Sequence, residues 1–70
     1  MSNTNITPGM QAALEVVKSF NENYEPCVVE DVAAEMGCTV PQAKGYIGSL
    51  VKAGLATTDN STHNAEIYAK

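Results

Sequence analysis

The most restrictive feature of the sequence is a very short connection between two apolar-patterned segments near its middle. Gly37 can end a helix, because glycine adopts the left-handed backbone conformation at little cost, and only Cys38 separates it from Thr39. Thr39 can cap a further helix with its hydroxyl, and Pro41 lies just inside that helix, where the N–H group that proline lacks would have no partner anyway. The sequence therefore predicts two helices joined by a turn of only a few residues, the second running from 39 to 53.

The same capping signal occurs once more, at Thr7 and Pro8, and it predicts a first helix that extends to about residue 20 or 21. The apolar residues of this helix recur at steps of three and four: Met10, Ala13, Leu14, Val17 and Phe20. The apolar residues of the helix over 39–53 follow the same rule: Val40, Ala43, Ile47, Leu50 and Val51. Glu30 and Asp31 open the helix between them, since acids are stabilised in a first helical turn.

Strand signals are shorter. Cys27–Val29 is rich in β-branched residues and predicts one short strand. The runs 55–58 and 65–68 flank a polar loop and predict a closing β-hairpin. The fold class is therefore α+β and mostly α, with a flexible tail over 1–7 and a single domain over 8–70.

The charge balance excludes one class of function. The chain has eight acidic and four basic residues, a formal net charge of −4, and all four bases are lysine. A generally basic nucleic-acid scavenger is therefore excluded. Most of the acids precede residue 36, whereas the segment 39–58 holds two lysines and no acid, so charge is polarised along the chain.

Other classes of site lack the residues that they need. No run approaches the roughly 18 apolar residues of a membrane-spanning helix, and the first five residues lack a secretory signal, so we expect a cytoplasmic protein with no membrane partner. Two cysteines and one histidine, His63, at no recognised spacing make no metal site. Because catalytic sets and phosphate-binding glycine loops are also missing, we expect no cofactor and no enzymatic activity.

The central helices resemble a known DNA-binding motif. The segment from Val29 to Leu50 is similar to a helix-turn-helix, with Ala33 and Gly37 at its small-residue and turn positions. The sequence Leu-Val-Lys-Ala-Gly-Leu-Ala over 50–56 looks like the exit from the recognition helix into the wing of winged helix-turn-helix regulators, such as the MarR-like family. The resemblance covers nearly the whole chain.

This resemblance implies a winged helix-turn-helix fold with three helices, one short strand and a C-terminal hairpin as the wing. It also implies a small DNA-binding transcriptional regulator, whose helix over 39–53 enters the major groove and whose wing over 55–68 contacts the DNA backbone. The DNA-binding residues implied in this way are Thr39, Pro41, Gln42, Lys44, Gly45, Gly48, Ser49, Lys52, Ser61 and His63. Among them Lys44, Ser49 and Lys52 suit phosphates, and Gln42 has the amide needed for a paired bond to adenine.

A second interpretation is a winged-helix adaptor that binds a protein of the transcription or replication machinery instead of DNA, either through its bare glycine face or through the acidic face that holds Glu30, Asp31 and Glu35. The net acidity and the missing arginine favour it. Gly45 and Gly48 also lie in mid-helix, where each costs about 1 kcal/mol relative to alanine and leaves a bare surface that another helix can approach. Double-stranded DNA would be bound weakly by a monomer, because a full interface uses about 6–10 phosphate contacts. Monomer and homodimer both stay open.

Overall fold

The computed structural model describes residues 6–59 and 65–70. It contains α1 (Pro8–Glu22), α2 (Val29–Met36) and α3 (Val40–Lys52), followed by β1 (Ala56–Asp59) and β2 (Glu66–Ala69). The two strands pair antiparallel, with Thr57 opposite Tyr68 and Thr58 opposite Ile67. The predicted fold class, a mostly helical α+β chain that closes with a β-hairpin, is confirmed.

The predicted caps at Thr7, Gly37 and Thr39 are confirmed, while α1 ends one or two residues later and α2 begins one residue earlier than predicted. Thr7 caps α1, its Oγ1 accepting from the Met10 backbone N–H at 3.2 Å. Gly37 ends α2 in the left-handed conformation with a φ of 68°, and Thr39 caps α3. These caps satisfy N–H groups that a helix start otherwise leaves unpaired. The turn between α2 and α3 is therefore as short as the sequence predicts.

The core lies where the three helices meet the inner face of the hairpin. Among the described residues, twelve buried apolar residues form it: Met10, Ala13, Leu14, Val17, Cys27, Val32, Ala33, Ala43, Ile47, Leu50, Ala56 and Ile67. Val51 departs from the prediction, because its side chain is 40% exposed instead of buried. It lies about 100° around the helix from its neighbour Leu50, on the flank of α3 and not in the buried stripe.

The prediction of a short strand over Cys27–Val29 is wrong. Val29 is the first residue of α2, and its helix is anchored by Asp31, whose Oδ2 accepts from the Val28 N–H at 3.2 Å. Only one strand-like bond forms in this segment, from the Ile67 N–H to the Cys27 carbonyl at 2.8 Å. A first-turn carboxylate therefore outweighs the β-propensity of two valines.

The outer edge of β2 is closed by a side chain as well. The Asn21 amide accepts from the Ala69 N–H at 2.8 Å and donates to the Ile67 carbonyl at 3.2 Å. Together with the Cys27 carbonyl, the Asn21 amide occupies the positions that a neighbouring strand would fill. The hairpin is in this way fixed to the end of α1, with its strands one residue later in the chain than predicted.

None of the helices in the described part of the chain has the length and apolar content needed to cross a membrane.

Candidate nucleic-acid interface

The solvent-facing ridge of α3 has only one long side chain, that of Lys52. Residues 41, 45, 48 and 52 follow one another at steps of three and four and are all exposed. A Cβ atom built on Gly45 or Gly48 would meet nothing within 4 Å. The ridge therefore offers exposed helix backbone over Pro41, Gly45 and Gly48, with the Lys52 ammonium at its C-terminal end.

Two grooves run along the flanks of this ridge. Lys44 borders the groove on the hairpin side, which has a volume of about 310 Å³ and also includes Glu30 and Thr58 in its lining. Gln42 and Ser49 border the groove on the α1 side, which has a volume of about 400 Å³. The predicted site residues of α3 are thus brought to one surface, but Lys44 and the pair of Gln42 and Ser49 lie on opposite sides of it.

Gln42, which is predicted to contact adenine, also has a structural role at the start of α3. Its Oε1 accepts from the Thr39 backbone N–H at 3.1 Å, while the Thr39 hydroxyl accepts from the Gln42 backbone N–H at 3.3 Å. These reciprocal bonds form a capping box. In paired recognition of adenine Oε1 accepts a hydrogen bond and Nε2 donates one. Here Oε1 already accepts one bond within the helix and keeps a second lone pair, and Nε2 can donate to a ligand without breaking the cap.

Charge differs between α3 and the loop end of the hairpin. α3 holds Lys44 and Lys52 and no acid. At the loop end of the hairpin, Asp59 is the cross-strand partner of Glu66, so two carboxylates share one face of the sheet. The two strands therefore bring acidic residues, and no lysine, to the end that adjoins the loop. Ser61 and His63, the two predicted wing contacts, lie outside the described residues.

Cys27 and Tyr68 have raised pKa values, and neither residue belongs to α3. Burial, followed by the negative charge of Asp31, raises the pKa of the Cys27 thiol to about 11. The Tyr68 hydroxyl donates to a Glu66 carboxylate oxygen, and this bond is the largest cause of its raised pKa. Both shifts stabilise the protonated form, so neither group is activated as a nucleophile.

Within the ranges 6–59 and 65–70, no three side chains of the His, Cys, Asp and Glu types are grouped so that they could hold a metal ion.

The sequence patterns missed three residues with specific structural positions. Asn21 closes the edge of β2, Gly9 lies against Tyr46, and Tyr24 adopts a left-handed backbone with a φ of 57°. A non-glycine residue with positive φ leaves no signal in a sequence pattern, since it depends on the turn that the surrounding fold imposes.

Comparison with known proteins gives no relative: no protein-family model, curated protein or solved structure matches this chain at a significant level.

Proposed function

We propose that this chain is a small DNA-binding protein of the winged helix-turn-helix type, a transcriptional regulator resembling the MarR-like family, that contacts double-stranded DNA through α3. The supporting observation is the outer surface of α3, where Lys44 and Lys52 flank an open backbone ridge on a helix without acids. The order of three helices and a hairpin is compatible with this architecture. The proposed activity is binding and not catalysis.

The side chains on this surface favour phosphate contact over base reading. Bases are read by side chains that project into the groove, and the ridge has glycine at 45 and 48. Gln42 can offer Nε2 as a donor, and Ser49 can offer its hydroxyl to a phosphate. We therefore propose binding that depends strongly on salt and only weakly on base sequence. A homodimer would strengthen it by doubling the number of lysine contacts.

Salt dependence gives a quantitative test. Each neutralised phosphate adds about −0.9 to the slope of log K against log salt, so two lysines predict a slope of about −1.8 for a monomer. Raising the salt from about 50 to about 200 mM should then weaken binding about tenfold for a monomer and about a hundredfold for a homodimer. The measurement is a fluorescence anisotropy titration with a random-sequence duplex.

A matched pair of charge reversals locates the surface. Lys44→Glu with Lys52→Glu should abolish binding at low salt. Lys18→Glu with Lys70→Glu changes the net charge equally at two exposed lysines outside α3, and it should retain most of the binding. Equal losses in both variants, or no binding by the native protein at low salt, would overturn the proposal.

The bare ridge also supports a second candidate, an adaptor that binds a protein helix. Pro41, Gly45 and Gly48 carry no long side chain, and the neighbouring groove is lined partly by Met10 and Tyr46, which suit apolar contact. For such an adaptor Gly48→Leu should weaken partner binding, whereas Lys44→Glu, a change on the flank of the ridge, should leave it nearly unchanged. A DNA-binding protein should respond to both changes.

A further inference from the structure

Tyr24 is the left-handed residue of the turn that ends α1, where the Glu25 N–H donates to the Phe20 carbonyl at 2.9 Å and the Tyr24 N–H donates to the Asn21 carbonyl at 3.1 Å. These bonds account for the backbone of Tyr24 but not for its exposed aromatic ring. Tyr24 lies in the turn between α1 and α2, its side chain is 96% exposed, and its backbone is left-handed with a φ of 57°. A left-handed backbone is unfavourable for a residue with a side chain, and an exposed ring gains nothing from the core. Glycine or asparagine would suit the left-handed position in this turn better, so the presence of an exposed tyrosine ring there needs a separate explanation.

Tyr24 borders a small cavity together with a second tyrosine. This cavity has a volume of about 170 Å³, and six residues line it: Asn21, Tyr24, Glu25, Pro26, Glu66 and Tyr68. Tyr68 is 40% exposed and is held by the hydrogen bond from its hydroxyl to Glu66. Tyr24, Pro26 and Tyr68 thus give this solvent-open cavity the apolar part of its lining, and we name it the tyrosine pocket.

The charged side chains that line the tyrosine pocket are all acidic. Glu25 and Glu66 both line it, and none of the four lysines does. Tyrosine faces attract cations, and carboxylates at the same site add ion pairing. An anionic ligand such as a phosphate would be repelled by the same two carboxylates, so this surface is complementary to a cation.

We propose that the tyrosine pocket binds an arginine side chain from a basic segment of a partner protein. A planar guanidinium can stack on a tyrosine ring and bond a carboxylate with two parallel N–H groups, which an ammonium cannot do. A second copy of this chain is not the partner, because the sequence contains no arginine. The pocket lies at the α1–α2 turn and β2, apart from the ridge of α3, so the two surfaces can be occupied independently.

The probe is a capped glycine–arginine–arginine–glycine peptide, added to the isotope-labelled full chain and followed by amide and tyrosine-ring chemical shifts. We expect saturable shifts at residues 24, 25, 66 and 68. The lysine analogue of the peptide should bind more weakly. Equal binding of the two peptides would overturn the assignment to arginine.

Variants separate the pocket from general attraction to an acidic protein. Tyr24→Gly removes the ring and relieves the left-handed strain, so it should fold at least as well and bind the arginine peptide about two- to fivefold more weakly. Glu25→Gln should also weaken binding, whereas Glu35→Gln, an equal change at an exposed acid of α2, should not. Shifts that follow every acid equally and survive Tyr24→Gly would overturn the proposal. The Lys44→Glu and Lys52→Glu variant should bind the peptide normally.

Discussion

Gly9 lies against the aromatic ring of Tyr46, and a Cβ atom on residue 9 would stand 2.6 Å from the Cζ atom of that ring. This contact joins the first turn of α1 to the middle of α3. It explains a glycine in a helical position where alanine has the better helix propensity. Close packing of α1 against α3 therefore depends on the missing side chain.

Gly9→Ala should lower the free energy of unfolding by about 1–3 kcal/mol, because the half-buried Tyr46 ring must move to admit the methyl group. Urea denaturation measures the change. In a Tyr46→Ala background the same substitution should cost much less, since the atoms that it meets are gone. An equal cost in both backgrounds would contradict the steric explanation.

Gly45→Ala and Gly48→Ala should act in the opposite direction. Open space surrounds both positions, so each alanine should raise the free energy of unfolding by about 0.5–1 kcal/mol through helix propensity alone. Thermal and urea denaturation should agree on the sign. A loss of stability at either position would mean that the outer ridge of α3 is covered, which is incompatible with the exposure described above.

Asn21→Ala should destabilise the protein by about 1–3 kcal/mol, because it leaves the Ala69 N–H and the Ile67 carbonyl without their partner. Hydrogen exchange of the Ala69 amide should accelerate. Asn23→Ala is the matched control, since the Asn23 side chain makes one exposed bond to the nearby Ser19 carbonyl and its removal should cost less than about 0.5 kcal/mol. Similar costs at both asparagines would argue against a structural role for the β2 edge.

Cys27 should resist thiol reagents in the folded protein, since it is 1% exposed and its pKa is raised to about 11. The half-buried Cys38 should react first with a disulfide reagent, and the second thiol should react only on unfolding. Complete reaction of both thiols at neutral pH without unfolding would contradict this order.

The Cys27 thiol also makes the free energy of unfolding depend on pH in the alkaline range. The folded state favours the protonated thiol, so this contribution is complete below the ordinary pKa of 9.0 and is lost as the pH rises towards about 11. The urea midpoint should fall over that window in the native protein and in Cys38→Ala. The fall should be smaller in Cys27→Ala, which has no thiol to ionise at that position.

Local chemistry made much of the fold predictable. The caps at Thr7 and Thr39 and the glycine at 37 act through neighbouring backbone groups, so the sequence alone indicates them. The short strand over 27–29 was predicted wrongly because Asp31 caps Val28 and draws Val29 into a helix. Residue propensities alone do not show whether the first-turn carboxylate of Asp31 or the β-branched side chains of Val28 and Val29 decide the local structure.

The candidate surface on α3 was predictable in part. Helical periodicity correctly placed Gly45, Gly48 and Lys52 on the outside. The hydrogen bonds of Gln42 in the cap of α3 could also be predicted, because a threonine followed three residues later by glutamine is the capping-box pattern. The tyrosine pocket was not, since Tyr24 and Tyr68 are far apart in sequence and meet only when the hairpin closes on α1.

The bonds between Asn21 and β2 join residues that are 46 and 48 positions apart in the chain. A hairpin with two four-residue strands is marginal in water when it stands alone, and this one gains its outer partner only after α1 has formed and docked. Ordering such distant contacts requires most of the chain to be already in place. The hairpin should therefore be the last element to form during folding, and the helices and the hairpin should be lost together in a single cooperative transition.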